Sequence, residues 1–97
     1  MRFEILLAPE AVEDLRRLRA QVRAQVRDAI ERHLRHEPKK ESQSRIKRLT
    51  GLSRPQYRLR VGDVRVFYDV TESQVEVLAI ILKEGAQKWL DEGARHE

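Results

Sequence analysis

The run from Gln56 to Val70 (Gln-Tyr-Arg-Leu-Arg-Val-Gly-Asp-Val-Arg-Val-Phe-Tyr-Asp-Val) alternates apolar and polar residues on both sides of Gly62-Asp63. Alternation with a period of two marks half-buried strands, and a Gly-Asp link between them marks a tight turn that needs positive φ. A two-residue loop sets Val61 opposite Val64, Arg60 opposite Arg65 and Arg58 opposite Phe67. The three arginines then share one face, while Tyr57, Leu59, Val61, Val64, Val66 and Tyr68 share the other. Like charges directly across a strand pair destabilise it. A sheet that keeps three arginines together is therefore a candidate anion site, against the plainer alternative of a solvated charged surface.

The distribution of charge supports the anion site. The chain carries a net charge of +4 over 97 residues, yet between Lys39 and Arg65 nine basic residues stand against two acids, Glu41 and Asp63. That stretch alone holds +7 and the rest of the chain −3. A local basic field of this kind suits phosphate or another polyanion. The length fits one domain, residues 1–97, with a single modest core. With no cysteine, neither a disulfide, a thiolate nucleophile nor a cysteine-ligated metal can contribute. The longest apolar run, Val77 to Leu82, is six residues, far short of a bilayer span, and the N-terminus has no signal-peptide pattern, so a cytoplasmic setting without membrane attachment is expected.

The remaining segments order themselves around the hairpin. Arg2 to Leu7 suggests a first strand. Pro9 is placed as a first helical residue, with Glu10, Glu13 and Asp14 suited to the positive end of a helix dipole. Val12, Leu15 and Leu18 form one apolar stripe, and Val22, Val26, Ala29, Ile30, His33 and Leu34 form another. Neither Gly nor Pro separates them, but one helix over both would run about 42 Å, too long for a domain this size to bury; two packed helices are favoured. Ile46 to Leu49 suggests a short strand before Gly51, and Lys39 to Ser44 an exposed loop. Gln74 to Leu82 reads as a buried last strand, and Lys83 to Asp91 as a terminal helix bearing Ala86, Trp89 and Leu90, with a frayed tail after Glu92. The expected fold is α+β: an N-terminal strand, a helical hairpin, an antiparallel sheet of about four further strands and a short C-terminal helix, the helices packed against the sheet.

The segments Lys47-Arg48-Leu49-Thr50-Gly51-Leu52 and Tyr57 to Tyr68, in this order of elements, resemble the RelE/ParE superfamily of type II toxin–antitoxin toxins across nearly the whole chain. The resemblance implies a toxin neutralised by a cognate antitoxin that wraps it. In the RelE branch, which is favoured, the implied activity is metal-independent mRNA cleavage on the ribosome; in the ParE branch it is poisoning of DNA gyrase by binding. An inactive antitoxin-binding co-repressor module is a third outcome. The RelE pattern implies catalytic roles for Arg58, Arg60, Arg65 and Lys83 and sets Trp89 about where an aromatic residue meets the RNA; Lys47, Arg48 and Arg54, from the basic stretch, are expected as further RNA contacts. No cofactor and no metal is implied. The partners implied are the antitoxin, the ribosome with its mRNA, and operator DNA reached through the antitoxin. The chemistry explains such residues: attack by a ribose 2′-OH needs a proton acceptor, cations on the pentacoordinate phosphate, a proton for the leaving 5′-oxygen and an aromatic surface for an unstacked base. Two departures stand out. Arginines replace lysines of the pattern and are poor proton acceptors, and Trp89 replaces a tyrosine that could carry a proton. Lys83 remains a candidate acid or base, with Glu84 as a fallback base.

Other residues have simpler readings. His33, His36 and Glu37 have a spacing that could hold a metal, but without a third strong ligand they read as surface residues near a helix end. Tyr57 and Tyr68 read as core residues. Trp89 serves equally well as the plug seating the last helix or as a base-stacking surface. Ser42, Ser44 and Ser53 have no His or Asp at a nucleophile's spacing.

Overall fold

The computed structural model describes residues 1–51 and 53–95. The elements run β1 (Glu4–Leu7), α1 (Pro9–Arg17), α2 (Ala20–Leu34), β2 (Ile46–Arg48), β3 (Tyr57–Val61), β4 (Val64–Val70), β5 (Gln74–Leu82) and α3 (Lys83–Arg95). This is the expected order. Leu52, within the leucine–x–glycine–leucine segment, lies outside the described residues. The frayed tail expected after Glu92 is helical through Arg95, and residues 96 and 97 lie outside the described residues.

The five strands form one sheet in the order β1-β5-β4-β3-β2. The hairpin has the register the alternation dictates, with Tyr57, Arg58, Leu59, Arg60 and Val61 opposite Tyr68, Phe67, Val66, Arg65 and Val64. Gly62 takes φ +57, a conformation closed to most side chains. The sheet is mixed rather than wholly antiparallel, because β1 runs parallel to β5, with Ile5 beside Val75 and Leu7 beside Val77. The helical connection through α1 and α2 is what lets two strands so distant in the chain align in one direction.

In β5 the register slips by one residue: Phe67 pairs with Ala79 but Tyr68 with Val77, leaving Leu78 as the extra residue of a bulge. The slip changes the phase of the strand. Val75, Val77 and Ile80 therefore all reach the core, while Ala79 and Ile81 join the opposite face. An unalternating run such as Val77 to Leu82 can take either phase, so the bulge leaves no polar residue misplaced.

The core lies between the sheet and the first two helices. Leu59, Val66, Tyr68, Val75 and Val77 from the strands meet Ala11 and Leu15 of α1 and Val26, Ile30 and Leu34 of α2. The helices part at Leu18 and Arg19, both extended (ψ 149° and 150°). The expected two helices are present, α1 lying on β5 and α2 reaching β3. Each apolar stripe is satisfied by the sheet. The Arg23 guanidinium Nη2 donates to the Leu18 carbonyl at 3.1 Å, holding an oxygen that the break leaves without a helical partner. Asp14 of α1 accepts the Ile80 N–H at 3.0 Å, closing a donor on β5 beyond the end of β1.

The Tyr68 hydroxyl donates to the Pro38 carbonyl at 2.6 Å in a fully buried setting, tying the loop after α2 to the central strand. Tyr68→Phe should lower the unfolding free energy by about 1–3 kcal/mol, because the buried carbonyl loses its donor. In urea titrations the midpoint should fall with the slope unchanged; an unchanged midpoint would mean that water takes over the bond.

Candidate functional site

The face of the sheet turned away from α1 and α2 carries the cations. Arg58 and Arg60 on β3, Arg65 on β4 and Lys47 on β2, which lies opposite Arg58, all project from it. Phe67 sits on the same face and is buried by α3, whose Trp89 stacks on it with ring centroids 5.0 Å apart and planes 16° from parallel. Beyond this aromatic pair, towards the hairpin tip, the face is open: Arg60 and Lys47 are exposed, and Arg58 and Arg65 are half-buried.

The arginines lack the carboxylates that guanidinium groups ordinarily find. Among the described residues, none of Arg58, Arg60 and Arg65 makes an ion pair. Arg65 Nη1 instead folds back to donate to the carbonyls of Gly62 at 2.8 Å and Val64 at 3.1 Å, at the hairpin turn. Arg58 is the most constrained: its Nε is buried and has no hydrogen-bond partner. Desolvation, followed by the charges of Arg65 and Arg60, lowers its pKa from the ordinary guanidinium value. All three effects oppose the charge that Arg58 carries. An anion on this face would relieve the repulsion and give the buried donor an acceptor.

The other expected site residues divide. Lys83 stands at the hairpin tip, its backbone N–H donating to the Asp63 carbonyl at 2.8 Å and its ammonium 3.4 Å from the Asp63 carboxylate. It borders the arginine face, but as a paired cation. Trp89 takes the packing role, seating α3 on Phe67. Arg54 lies at the far end of the strands, held by Asp69 at 2.8 Å and Glu76 at 3.3 Å. Asp69 also accepts the Gln56 N–H at 2.8 Å, so Arg54 pins the entry to β3 and is spoken for. Arg48 lies opposite Tyr57, on the other face, with its guanidinium 3.1 Å from the Tyr57 hydroxyl and 5.1 Å from the ring centre. The structure thus gathers Lys47, Arg58, Arg60 and Arg65, with Lys83 at the border, and directs Arg48 and Arg54 elsewhere.

Three partners escaped the sequence reading: Asp63 for Lys83, and Asp69 and Glu76 for Arg54. Only the β4–β5 register, with Asp69 opposite Glu76, brings the last two together. Neither tyrosine serves the arginine face. Both sit on the core side, and burial, with Tyr57 adding to it, pushes the Tyr68 phenol far above its ordinary range. His33 and His36 border a small cleft with Arg32, Glu37, Lys40, Glu41 and Arg45. Burial, then the charges of Arg45 and Arg32, lowers the His33 pKa. Glu37 pairs with Lys40, and Glu41 accepts the Arg48 N–H, so the carboxylates here are occupied by this chain's own donors.

Because Arg58 carries an unsatisfied, desolvated and repelled charge, Arg58→Met should raise the unfolding free energy by about 1 kcal/mol, read by urea titration, while weakening anion binding to the face. A loss of stability greater than this would show that Arg58 is a structural residue.

Comparison with known proteins accords with the fold. A sequence profile of the family described as "ParE toxin of type II toxin-antitoxin system, parDE" matches residues 5–86. No curated protein matches the chain. Among solved structures, it is similar to the RelBE2 toxin–antitoxin complex of Mycobacterium tuberculosis (20% identity, 84% of this chain and 99% of that one, TM-score 0.71). It is also similar to the RelB–RelE complex of Methanococcus jannaschii (20% identity, 87% and 96%, TM-score 0.66). The archaeal RelE–RelB complex of Pyrococcus horikoshii is a further match (24% identity, 86% and 97%, TM-score 0.64). At these identities the solved structures speak for the fold, and the profile for the family. The chain belongs to the ParE toxin family of type II toxin–antitoxin systems, within the RelE/ParE superfamily.

Proposed function

We propose that this toxin arrests translation by cutting messenger RNA on the ribosome, without a metal ion, using the face that carries Arg58, Arg60 and Arg65, and that a cognate antitoxin neutralises it. The observation that carries the reading is the unpaired arginine trio, with the Arg58 Nε buried and lacking an acceptor. A phosphodiester supplies the missing acceptors and charge. In the cleavage the ribose 2′-oxygen bonds to phosphorus and the bond from phosphorus to the 5′-oxygen breaks, leaving a 2′,3′-cyclic phosphate and a 5′-hydroxyl. The arginines bind the phosphate oxygens and stabilise the charge that builds on them. Lys83, placed at the hairpin tip by Asp63, is the group that gives the 5′-oxygen its proton, and Lys47 extends the cationic track along the RNA. The arginines are poor acceptors for the 2′-hydroxyl proton. That proton goes to Glu84, exposed in the first turn of α3, or to a group of the ribosome, which accounts for a requirement for the ribosome. The three similar solved structures named above are antitoxin–toxin complexes, which supports an antitoxin as partner here; operator DNA would be reached through that antitoxin.

A second reading, inhibition of DNA gyrase by binding, draws on a specific feature. Lys83 is paired and Trp89 is packed on Phe67, so the face is better equipped to hold a polyanion than to move protons.

Primer extension on a defined mRNA in purified translating ribosomes separates the two. Discrete cuts within the decoding-site codon are expected. Arg65→Ala should slow them by about a hundredfold or more, the usual effect of removing one donor that stabilises a transition state, with the fold intact. Intact mRNA at concentrations that still stop growth, together with a DNA-damage response, would transfer the assignment to gyrase.

A further inference from the structure

On the far side of the Phe67–Trp89 pair from the arginines, a cleft of about 390 Å³ opens between β5, α3 and the start of α1. Pro9, Leu78 and Trp89 supply its apolar walls, and Glu10, Arg54 and Glu76 its polar ones. Leu78 is the extra residue of the β5 bulge, a device often found where a sheet borders a site. Trp89 rests one ring face on Phe67 and is half-buried, so the rest of the indole faces the cleft. The polar groups divide into those taken and those free. Arg54 gives its Nε to Asp69 and its Nη2 to Glu76, which fixes the guanidinium and occupies Glu76. Among the described residues, the Arg54 Nη1 has no acceptor and the exposed Glu10 makes no ion pair.

These charges restrict the occupant. A cation would meet the Arg54 guanidinium, and an anion would meet the carboxylates of Glu10 and Glu76. A neutral ligand fits, provided that it brings an acceptor to Arg54 and donors to Glu10. The indole favours a flat one, since stacking asks only for a π face. Among the nucleobases, guanine alone carries an acceptor, O6, followed by two donors, N1–H and N2–H, along its Watson–Crick edge. One carboxylate accepts from both donors at once. Adenine and cytosine would instead set a ring-nitrogen lone pair against Glu10, and uracil has a single donor to offer.

We propose that this cleft binds a guanine base: the ring stacks on Trp89, Glu10 accepts from N1–H and N2–H, and Arg54 donates to O6. The base comes from a free nucleotide or from an RNA strand whose phosphates lie on the arginine face. The second source rests on the reading above; the chemistry of the cleft does not. Because Arg58, Arg60 and Arg65 take no part in the cleft, selection of the base is separate from attraction of the phosphate.

Trp89 is the chain's one tryptophan, so its indole N–H gives a single nuclear magnetic resonance signal that reports on the cleft. Guanosine titrated into the isotope-labelled full-length protein should move that signal saturably, with adenosine and cytidine binding about tenfold more weakly or worse. Glu10→Gln, checked by thermal melting for an intact fold, should weaken guanosine about tenfold. Inosine, which lacks the exocyclic amine, should bind more weakly by a similar factor, and the two changes together should cost less than their sum. A short single-stranded RNA with one guanine should bind more tightly than guanosine and lose that advantage in Arg60→Ala; equal binding of the two would make the free nucleotide the ligand. The proposal is overturned if the indole signal stays still, if adenosine binds as tightly as guanosine, or if guanosine binding responds to Arg60→Ala and ignores Glu10→Gln. Failure of the ribosome assay with guanosine binding intact would remove the translation reading and leave the cleft assignment standing.

Discussion

The Gly62-Asp63 turn sets the phase of the two central strands. With φ +57 at Gly62 and two residues in the link, Arg60 must face Arg65 and Arg58 must face Phe67. One residue more or fewer would send every side chain of β4 to the other side of the sheet. The same phase places Leu59, Val64, Val66 and Tyr68 in the core, and it sets Tyr57 opposite Tyr68, where the rings stack 5.5 Å apart. The core and the arginine face are therefore two results of one register. Burial of the apolar set fixes the register, and the arginines are carried into proximity whether or not they repel one another. The bulge at Leu78 extends this logic to β5, restoring the phase so that Ile80 faces inward and Ala79 leaves room beneath Phe67 and Trp89.

Seen this way, the arginine face is a place where folding energy from the core is spent against electrostatics. An ordinary protein surface would answer Arg58 with an acid across the strand. Here the residue opposite is Phe67, the cross-strand neighbour on the other side is Lys47, and the nearby acid, Asp63, is paired with Lys83. Acids are available in this chain and are used elsewhere for just that purpose: Asp69 and Glu76 hold Arg54, and Glu31 holds Arg35. The contrast between guanidinium groups that are answered and those that are not distinguishes a binding surface from structural ion pairs better than the count of basic residues does.

That contrast also marks what could be read in advance. Strand identity, hairpin register and the composition of each face follow from period-two alternation, which is a local property. The arginine trio was legible for the same reason, as was the order of elements. The direction of β1 was not, because nothing within Glu4 to Leu7 records which strand it will join. Nor was the seat of each helix: their stripes show that each has an apolar face, but which strand that face meets is decided by the chain's path. Arg48 and Arg54 entered the expected site because they lie in the basic stretch of sequence. They left it because facing Tyr57 and meeting Asp69 with Glu76 are matters of register and bulge. Trp89 was balanced between two roles until the position of Phe67 was known.

Among the described residues two guanidinium groups have a buried Nε without a partner, Arg58 and Arg23, and they lie on opposite faces near opposite edges of the sheet. A buried donor without an acceptor costs stability in the free protein. Both are held where they are by the backbone: Arg58 by a register that burial of the apolar set fixes, and Arg23 by its position just past the break between α1 and α2, with one arm on the Leu18 carbonyl. Neither can swing its Nε into water without giving up what holds the rest of the side chain, so the same packing that stabilises the core keeps these two donors unanswered.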